Sequence, residues 1–279
     1  MSTYLITGAT DGIGRALAQA LAAQGLEVIL HGRDPAKTAA VVDAIRVATG
    51  KEVSSVLADF ASLAEVAALA DRVAAEFPGL KVLINNAGHL TDRRQLSSDG
   101  YELTWAVNYL APFLLTTRLL ERLKANAPAR VVNVSSTALS GGMIDFDNLQ
   151  LEHGFNGWQA YANSKLANAY FSHELAGRID GSGVVSNALC PGLIDTNFFH
   201  TNTVFANGAY ERMQPGMRTP EEGALVPLHL ATDPAAANIN GEFFIRVGRD
   251  GRRSMSLGLD GQAAAALWQQ SEKMISAAL

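Results

Sequence analysis

Short apolar runs alternate with longer segments whose apolar residues recur every three or four positions, and the alternation continues almost to the end of the chain. The short runs lie at 4–7, 28–30, 53–58, 82–84, 130–134, 184–189 and 242–247. Continuous hydrophobicity over so few residues, bounded by glycine, proline or polar clusters, is what a strand buried on both faces looks like. Between these runs the spacing predicts helices with identifiable ends. One covers 15–23 and stops at Gly25; the next is capped by Asp34 with Pro35 at its first position; a third opens on the capping box Ser62-x-x-Glu65 and stops at Pro78-Gly79. A longer helical pattern over 98–124 carries Pro112, which should kink it or locally break its hydrogen bonding. Later helices hold Tyr161 and Lys165, restart at the capping box Thr219-Pro220-Glu221-Glu222, and close the chain from about Gln262.

Strands alternating with helices predict an α/β architecture: a doubly wound parallel sheet of about seven strands, helices on both faces, in a single domain over 1–279. Two segments depart from the alternation. Residues 141–157 are polar and aromatic, with Asp145, Phe146, Asp147 and Phe155, and are expected to form an inserted loop. Residues 193–218 have no clear period but hold Phe198, Phe199, Phe205, Tyr210, Met213 and Met217, as a substrate-binding loop or lid over an apolar ligand would.

Composition removes several function classes. A formal net charge of -5, with only the small basic cluster Arg249, Arg252 and Arg253, offers no footprint for nucleic acid. The single cysteine, Cys190, excludes an internal disulfide and suits a reducing compartment, and its expected role is apolar packing at a strand end. The six histidines have no metal-ligand spacing, so no metal is expected. No apolar run reaches the roughly 18 residues of a membrane span, and the chain opens directly on a strand, so the expectation is a cytoplasmic protein with no membrane partner.

The candidate chemistry sits where strands should end. Gly8-Ala9-Thr10-Asp11-Gly12-Ile13-Gly14 follows the first strand and opens the first helix. Glycines at such a turn let backbone approach a diphosphate, and the helix N-terminus offers it unpaired N–H groups and the positive end of a dipole. At the end of the second strand stands Gly32-Arg33 rather than a carboxylate. A guanidinium there can pair with a ribose 2'-phosphate, favouring NADP over NAD, although Asp11 places an acid near the same phosphate. Asp59-Phe60, Asn85-Asn86-Ala87-Gly88, Ser135-Ser136 and Cys190-Pro191-Gly192 close later strands, and Asn108 lies in an apolar helix face where it needs partners if buried. Tyr161 and Lys165, four residues apart, share one helix face. A free phenol titrates near ~10, so acid–base work near neutrality requires about 3 units of depression, which an adjacent ammonium can help to supply.

Taken in order, Thr7-Gly8-x-x-x-Gly12-Ile13-Gly14, Asn85-Asn86-Ala87-Gly88, Asn108, Ser136, Tyr161-x-x-x-Lys165 and Pro191-Gly192 closely resemble the short-chain dehydrogenase/reductases, over roughly 3–250. Val131-Val132-Asn133-Val134-Ser135-Ser136, Asp145-Phe146-Asp147-Asn148-Leu149, Ser164-Lys165-Leu166-Ala167-Asn168 and the long step from Ser136 to Tyr161 resemble the retinol-dehydrogenase-like and protochlorophyllide-reductase-like branch, whose membrane-bound retinoid enzymes carry an N-terminal anchor. The resemblance implies a Rossmann fold in which Tyr161 is the acid/base, Ser136 orients the substrate oxygen, Lys165 binds the nicotinamide ribose and lowers the Tyr161 pKa, and Asn108 holds a water of a proton relay. It implies further that Gly8, Thr10, Asp11, Gly12, Ile13 and Gly14 hold the diphosphate and adenosine side, that Asp59 and Phe60 flank the adenine, that Asn86, Ala87 and Gly88 line a ribose, and that Pro191, Gly192, Ile194 and Thr196 meet the nicotinamide carboxamide. The expected function is NADP(H)-dependent interconversion of an alcohol and a ketone or aldehyde on a fairly apolar small molecule. Two alternatives stay open: reduction of a carbon–carbon double bond, and a catalytically silent dinucleotide-sensing regulator. A homo-oligomer is possible for the family.

Overall fold

A computed structural model describes residues 2–200, 202–206, 208–248, 251–255 and 257–279, with the side chains of 246–248 and 251–255 left aside. Arg249 therefore lies outside the described residues, and Arg252 and Arg253 are described by their backbone alone.

Seven strands run parallel: β1 (Thr3–Ile6), β2 (Glu27–Gly32), β3 (Ser54–Leu57), β4 (Leu80–Asn85), β5 (Ala129–Val134), β6 (Val184–Leu189) and β7 (Phe243–Gly248), in spatial order β3-β2-β1-β4-β5-β6-β7. The expected sheet is thus present. An eighth strand, β8 (Gly251–Met255), adds to the edge antiparallel to β7. Its Gly-Arg-Arg-Ser-Met sequence has no apolar run, so pairing with β7 rather than hydrophobicity makes it a strand.

Alternation along each central strand divides the core between the two faces. Leu5, Ile29, Leu83 and Val131 enter one cluster with α3 (Leu63–Glu76), α5 (Ala111–Ala125), α6 (Gly157–Arg178) and α10 (Gly261–Ala278). Their neighbours Tyr4, Ile6, Val28, Leu30, Val82, Ile84 and Val132 enter the other, with α1 (Gly12–Ala23), α2 (Pro35–Thr49) and α9 (Pro220–Thr232). Burial on both faces is why these strands read as unbroken apolar runs. The Ala-rich α10 lies on α6, with Trp268 against Phe113 at 4.7 Å and Phe171 at 5.8 Å, and the Ser271 hydroxyl 2.7 Å from that of Tyr109.

Two helix starts differ from expectation. Ser62 caps α3 by accepting from the Glu65 N–H at 3.3 Å, but the Glu65 carboxylate turns to the Asp59 N–H at 2.7 Å, leaving only half of the capping box. The complete box is at Thr219 and Glu222. The helical pattern at 98–124 starts later: α4 (Leu103–Trp105) passes into a π turn (Ala106–Leu110) and then α5. Glu102, buried at 1 % exposure, opens α4 by accepting from the N–H groups of Thr104 and Trp105 at 2.9 and 2.7 Å. Burial raises the pKa of its carboxyl, opposed by these bonds. Pro112 in the first turn of α5 has no N–H for the carbonyl of Asn108, four residues back, and the wider π turn sits at that break.

The segment 193–218 is more ordered than its lack of period suggests. It contains α7 (Asn197–His200), α8 (Ala209–Met213) and two short 3-10 turns. Its neck is closed by the N–H of Asp195 donating to the Arg218 carbonyl at 2.8 Å and the N–H of Arg218 donating to that of Leu193 at 2.9 Å.

Candidate active site

The glycine-rich turn is fixed by a residue that spacing did not flag. Thr7, fully buried, accepts on Oγ1 from the N–H groups of Asn86 and Ala87 at 2.9 and 3.0 Å. Asn86 returns the contact, its Nδ2 donating to the carbonyls of Thr7 and Gly8 at 2.9 and 3.1 Å. The amide of Asn86 is therefore spent on holding the turn, while Ala87 and Gly88 line the adjoining edge. Gly8 adopts φ +63°, and a Cβ there would lie 2.8 Å from the Ala87 Cα; at Gly14 it would lie 2.3 Å from the Gly8 carbonyl oxygen. Gly12 meets Thr196 in the same way at 2.8 Å, so the segment after β6 folds back onto this turn and forms a narrow glycine-walled crevice. Ile13 and Ile194 back it, both in contact with the position a Gly223 side chain would fill. Asp11 precedes α1 in extended conformation and caps nothing with its side chain, which leaves the first-turn N–H groups available to an anion.

At the end of β2, Gly32 lets Thr10 and Thr38 close on the strand tip, since a Cβ would lie 2.5 and 2.3 Å from their side chains. Arg33 follows, exposed. Phe60 is buried, its ring stacked on His31 at 4.3 Å and 20°, beside the half-buried Asp59. His31 was not foreseen. Its Nδ1 accepts from the Gly8 N–H at 3.3 Å and its Nε2 lies 3.0 Å from the Ala58 carbonyl, so the neutral ring ties the glycine turn to the end of β3. Burial lowers its pKa to about 4, against the opposing pull of the Ala58 carbonyl and Asp59. His89 feels the charges of Arg33 and Asp59. Burial, and next Arg33, lower its pKa, and its Nε2 is buried without a hydrogen-bond partner.

The two serines after β5 do different things. Ser135 is buried and its hydroxyl donates to the Lys165 carbonyl at 2.7 Å, seating α6 on the sheet. Ser136, half-buried, accepts from the Ala138 N–H at 3.1 Å and stands near enough to Tyr161 to lower the pKa of its phenol. Lys165 is buried at 3 % exposure; its Nζ donates to the Val134 carbonyl at 3.0 Å and lies 5.4 Å from the centre of the Tyr161 ring. A Cβ on Gly88 would lie 3.8 Å from that Nζ and 4.0 Å from Asn108 Oδ1, which joins the catalytic helix to the nucleotide side. Asn108, fully buried, clamps His89 at both ends, accepting from its N–H at 2.6 Å and donating to its carbonyl at 2.9 Å, and donates also to the Ser164 hydroxyl at 3.0 Å. Its side chain thus positions the 86–89 turn. Burial lowers the Lys165 pKa to about 8. Burial likewise raises that of Tyr161, more than the Ser136 side chain lowers it, so the phenol of the free protein is a proton donor. Cys190 is buried as expected, in an apolar cluster with Leu139, Ala169, Ala188 and Phe243.

The aromatic residues of 193–218 do converge on this site. Phe198 lies 5.4 Å from Tyr161, and Phe198, Phe199 and Phe205 pack together. Trp158, one turn before Tyr161, adds a ring at 5.7 Å that the sequence reading did not single out. The segment is tied across the opening by Asn202, whose amide donates to the Leu90 carbonyl at 2.7 Å. Among the described residues no group of three or more His, Cys, Asp or Glu could hold a metal, and no helix is long and apolar enough to cross a membrane.

Known proteins show the same combination of fold and sequence. Retinol dehydrogenase 12 of Homo sapiens is 39 % identical over 241 residues, 86 % of this chain and 76 % of that one. A crystal structure of an uncharacterised protein from Mycobacterium paratuberculosis superposes with a TM-score of 0.78 at 32 % identity, covering 99 % of this chain and 94 % of that one. A short chain dehydrogenase from Burkholderia cenocepacia J2315 in complex with NADP superposes with a TM-score of 0.71 at 26 % identity, covering 88 % and 95 %. A family model described as short chain dehydrogenase matches residues 2–205, which include both the glycine turn and the Ser136, Tyr161 and Lys165 cluster. With the crevice, the hydroxyl pair and the buried lysine assembled at the carboxyl ends of one parallel sheet, the chain belongs to the short-chain dehydrogenase family.

Proposed function

We propose that this protein is an NADP(H)-dependent oxidoreductase that interconverts an alcohol and a ketone or aldehyde on a fairly apolar small molecule. The observation that carries the reading is the grouping of Ser136, Tyr161 and Lys165, with the Ser136 side chain near enough to lower the pKa of the phenol and the Lys165 ammonium 5.4 Å from its ring. A nicotinamide dinucleotide in the glycine-walled crevice would supply or accept the hydride. The residues of the chain handle the oxygen. In the reducing direction Tyr161 gives its proton to the carbonyl oxygen as that oxygen gains charge, and Ser136 hydrogen-bonds the same oxygen and holds it in reach. Lys165, buried and anchored on the Val134 carbonyl, places a positive charge where a phenolate forms.

The start of α1, which keeps its N–H groups free of any side-chain cap, and the close-packed glycines Gly8, Gly12 and Gly14 around it support a dinucleotide phosphate at this turn. Arg33, exposed beside Gly32 where no carboxylate stands, supports the phosphorylated form, as does NADP in the Burkholderia relative. Retinol dehydrogenase 12 and the aromatic lining of 193–218 support an apolar substrate. The test is a panel of alcohols, aldehydes and ketones scored by change in NADPH absorbance, run in parallel with NADH. Turnover of carbonyl compounds with preference for NADPH is expected; products in which an alkene is reduced and the carbonyl left intact would overturn the proposal, as would the absence of any turnover.

A further inference from the structure

Trp158 is placed where packing gives it no reason to be. It is 45 % exposed, unusually wet for so large an apolar ring, yet it lies on the rim of the acid/base. Being three residues ahead of Tyr161 on α6, it shares that residue's helix face, and the two rings stand 5.7 Å apart at 31°. Phe198 also approaches Tyr161, at 5.4 Å and 47°. Trp158 and Phe198 lean on a common support, Phe205, at 6.3 Å edge-on and 6.0 Å respectively. Phe205 itself is only 6 % exposed and backed by Phe199 at 4.7 Å. The phenol therefore has beside it two partly exposed rings that share one fixed base.

The group attached to a substrate oxygen held by Ser136 and Tyr161 meets these two rings beside the phenol. A flat conjugated ring can make offset and edge-to-face contacts with them, whereas a puckered saturated ring of similar area is thicker and has no π face to offer.

We propose that Trp158 is a specificity-determining residue which, with Phe198, forms a stacking clamp selecting aryl aldehydes and ketones over saturated carbonyl compounds of the same size. This rests on the alcohol–carbonyl reading above and names its substrate class.

The test compares 2-naphthaldehyde with its fully saturated decalin counterpart at saturating NADPH, in wild type, Trp158→Phe and Trp158→Leu. Contacts with two aromatic rings are expected to give a kcat/KM preference of about tenfold for the aryl compound in wild type. Trp158→Phe keeps most of it, and Trp158→Leu, apolar but without a π face, reduces it to about twofold, the change carried by KM of the aryl substrate. A wild-type ratio near one, or a ratio unchanged in Trp158→Leu, overturns the clamp. Wild type that binds 2-naphthaldehyde in a Trp158-dependent way but turns over neither aldehyde overturns the alcohol–carbonyl reading and leaves the clamp standing; neither binding nor turnover overturns both.

Discussion

Replacing Asn108 by alanine tests whether this residue holds the 86–89 turn. Its side chain is fully buried and makes three hydrogen bonds, two with the His89 backbone and one with Ser164. Each is worth about 1 kcal/mol net, and the deletion also strands the His89 N–H, a further 1 kcal/mol or more; the sum is about 4 kcal/mol. For a chain of this size, with an m-value of about 3 kcal/mol/M in urea, the midpoint should fall by roughly 1.3 M at unchanged slope. Ser164→Ala is the control. It removes one of those partners and leaves the His89 clamp intact, for a shift of roughly 0.5 M or less. Asn108→Ala should also weaken NADPH binding, followed by quenching of protein fluorescence, because Gly88 would no longer be held against Lys165. A midpoint shift below roughly 0.3 M would refute the clamp.

Three further outcomes are expected. Gly14→Ala puts a methyl 2.3 Å from the Gly8 carbonyl and 2.5 Å from Asn86 Nδ2, so the turn must shift and NADPH affinity should drop by about a hundredfold or more, read by titration calorimetry. Arg33→Ala should raise the Kd for NADPH by about ten- to a hundredfold, the range for a charge-assisted contact, while that for NADH stays within about twofold. His31 has a folded-state pKa of about 4 against an ordinary 6.5, so the unfolded chain binds the extra proton between those values. Stability from this group is then fully present above pH 6.5 and lost as pH falls towards 4, by about 3 kcal/mol in all; urea midpoints at pH 7 and pH 5 should diverge more in wild type than in His31→Phe.

What could be read from the residues, and what could not, divides along physical lines. Strands buried on two faces write themselves as apolar runs, which is why the seven parallel strands were legible, and glycines that backbone or side chains crowd are legible because nothing larger fits. Tyr161 and Lys165 fall on one helix face by spacing alone. Roles assigned through long-range hydrogen bonds were not legible. Thr7 and Asn86 are partners across 79 positions, and His31 joins Gly8 to Ala58 without any local signature. The stacking of Phe60 on His31, a histidine of the neighbouring strand, likewise has no local signature. β8 escaped because an edge strand needs only a partner with free backbone groups, and Trp158 because a rim residue obeys no period.

The central claim is that the phenol of Tyr161 exchanges the proton at the substrate oxygen. Its most direct test is Tyr161→Phe, which deletes one oxygen atom and keeps the ring beside Trp158 and Phe198. Single-turnover rates of NADPH oxidation with a carbonyl substrate should fall by about 10²–10⁴-fold, the usual contribution of a positioned acid, with the Kd for NADPH within about threefold of wild type. A variant that oxidises NADPH at a rate close to wild type would contradict the account.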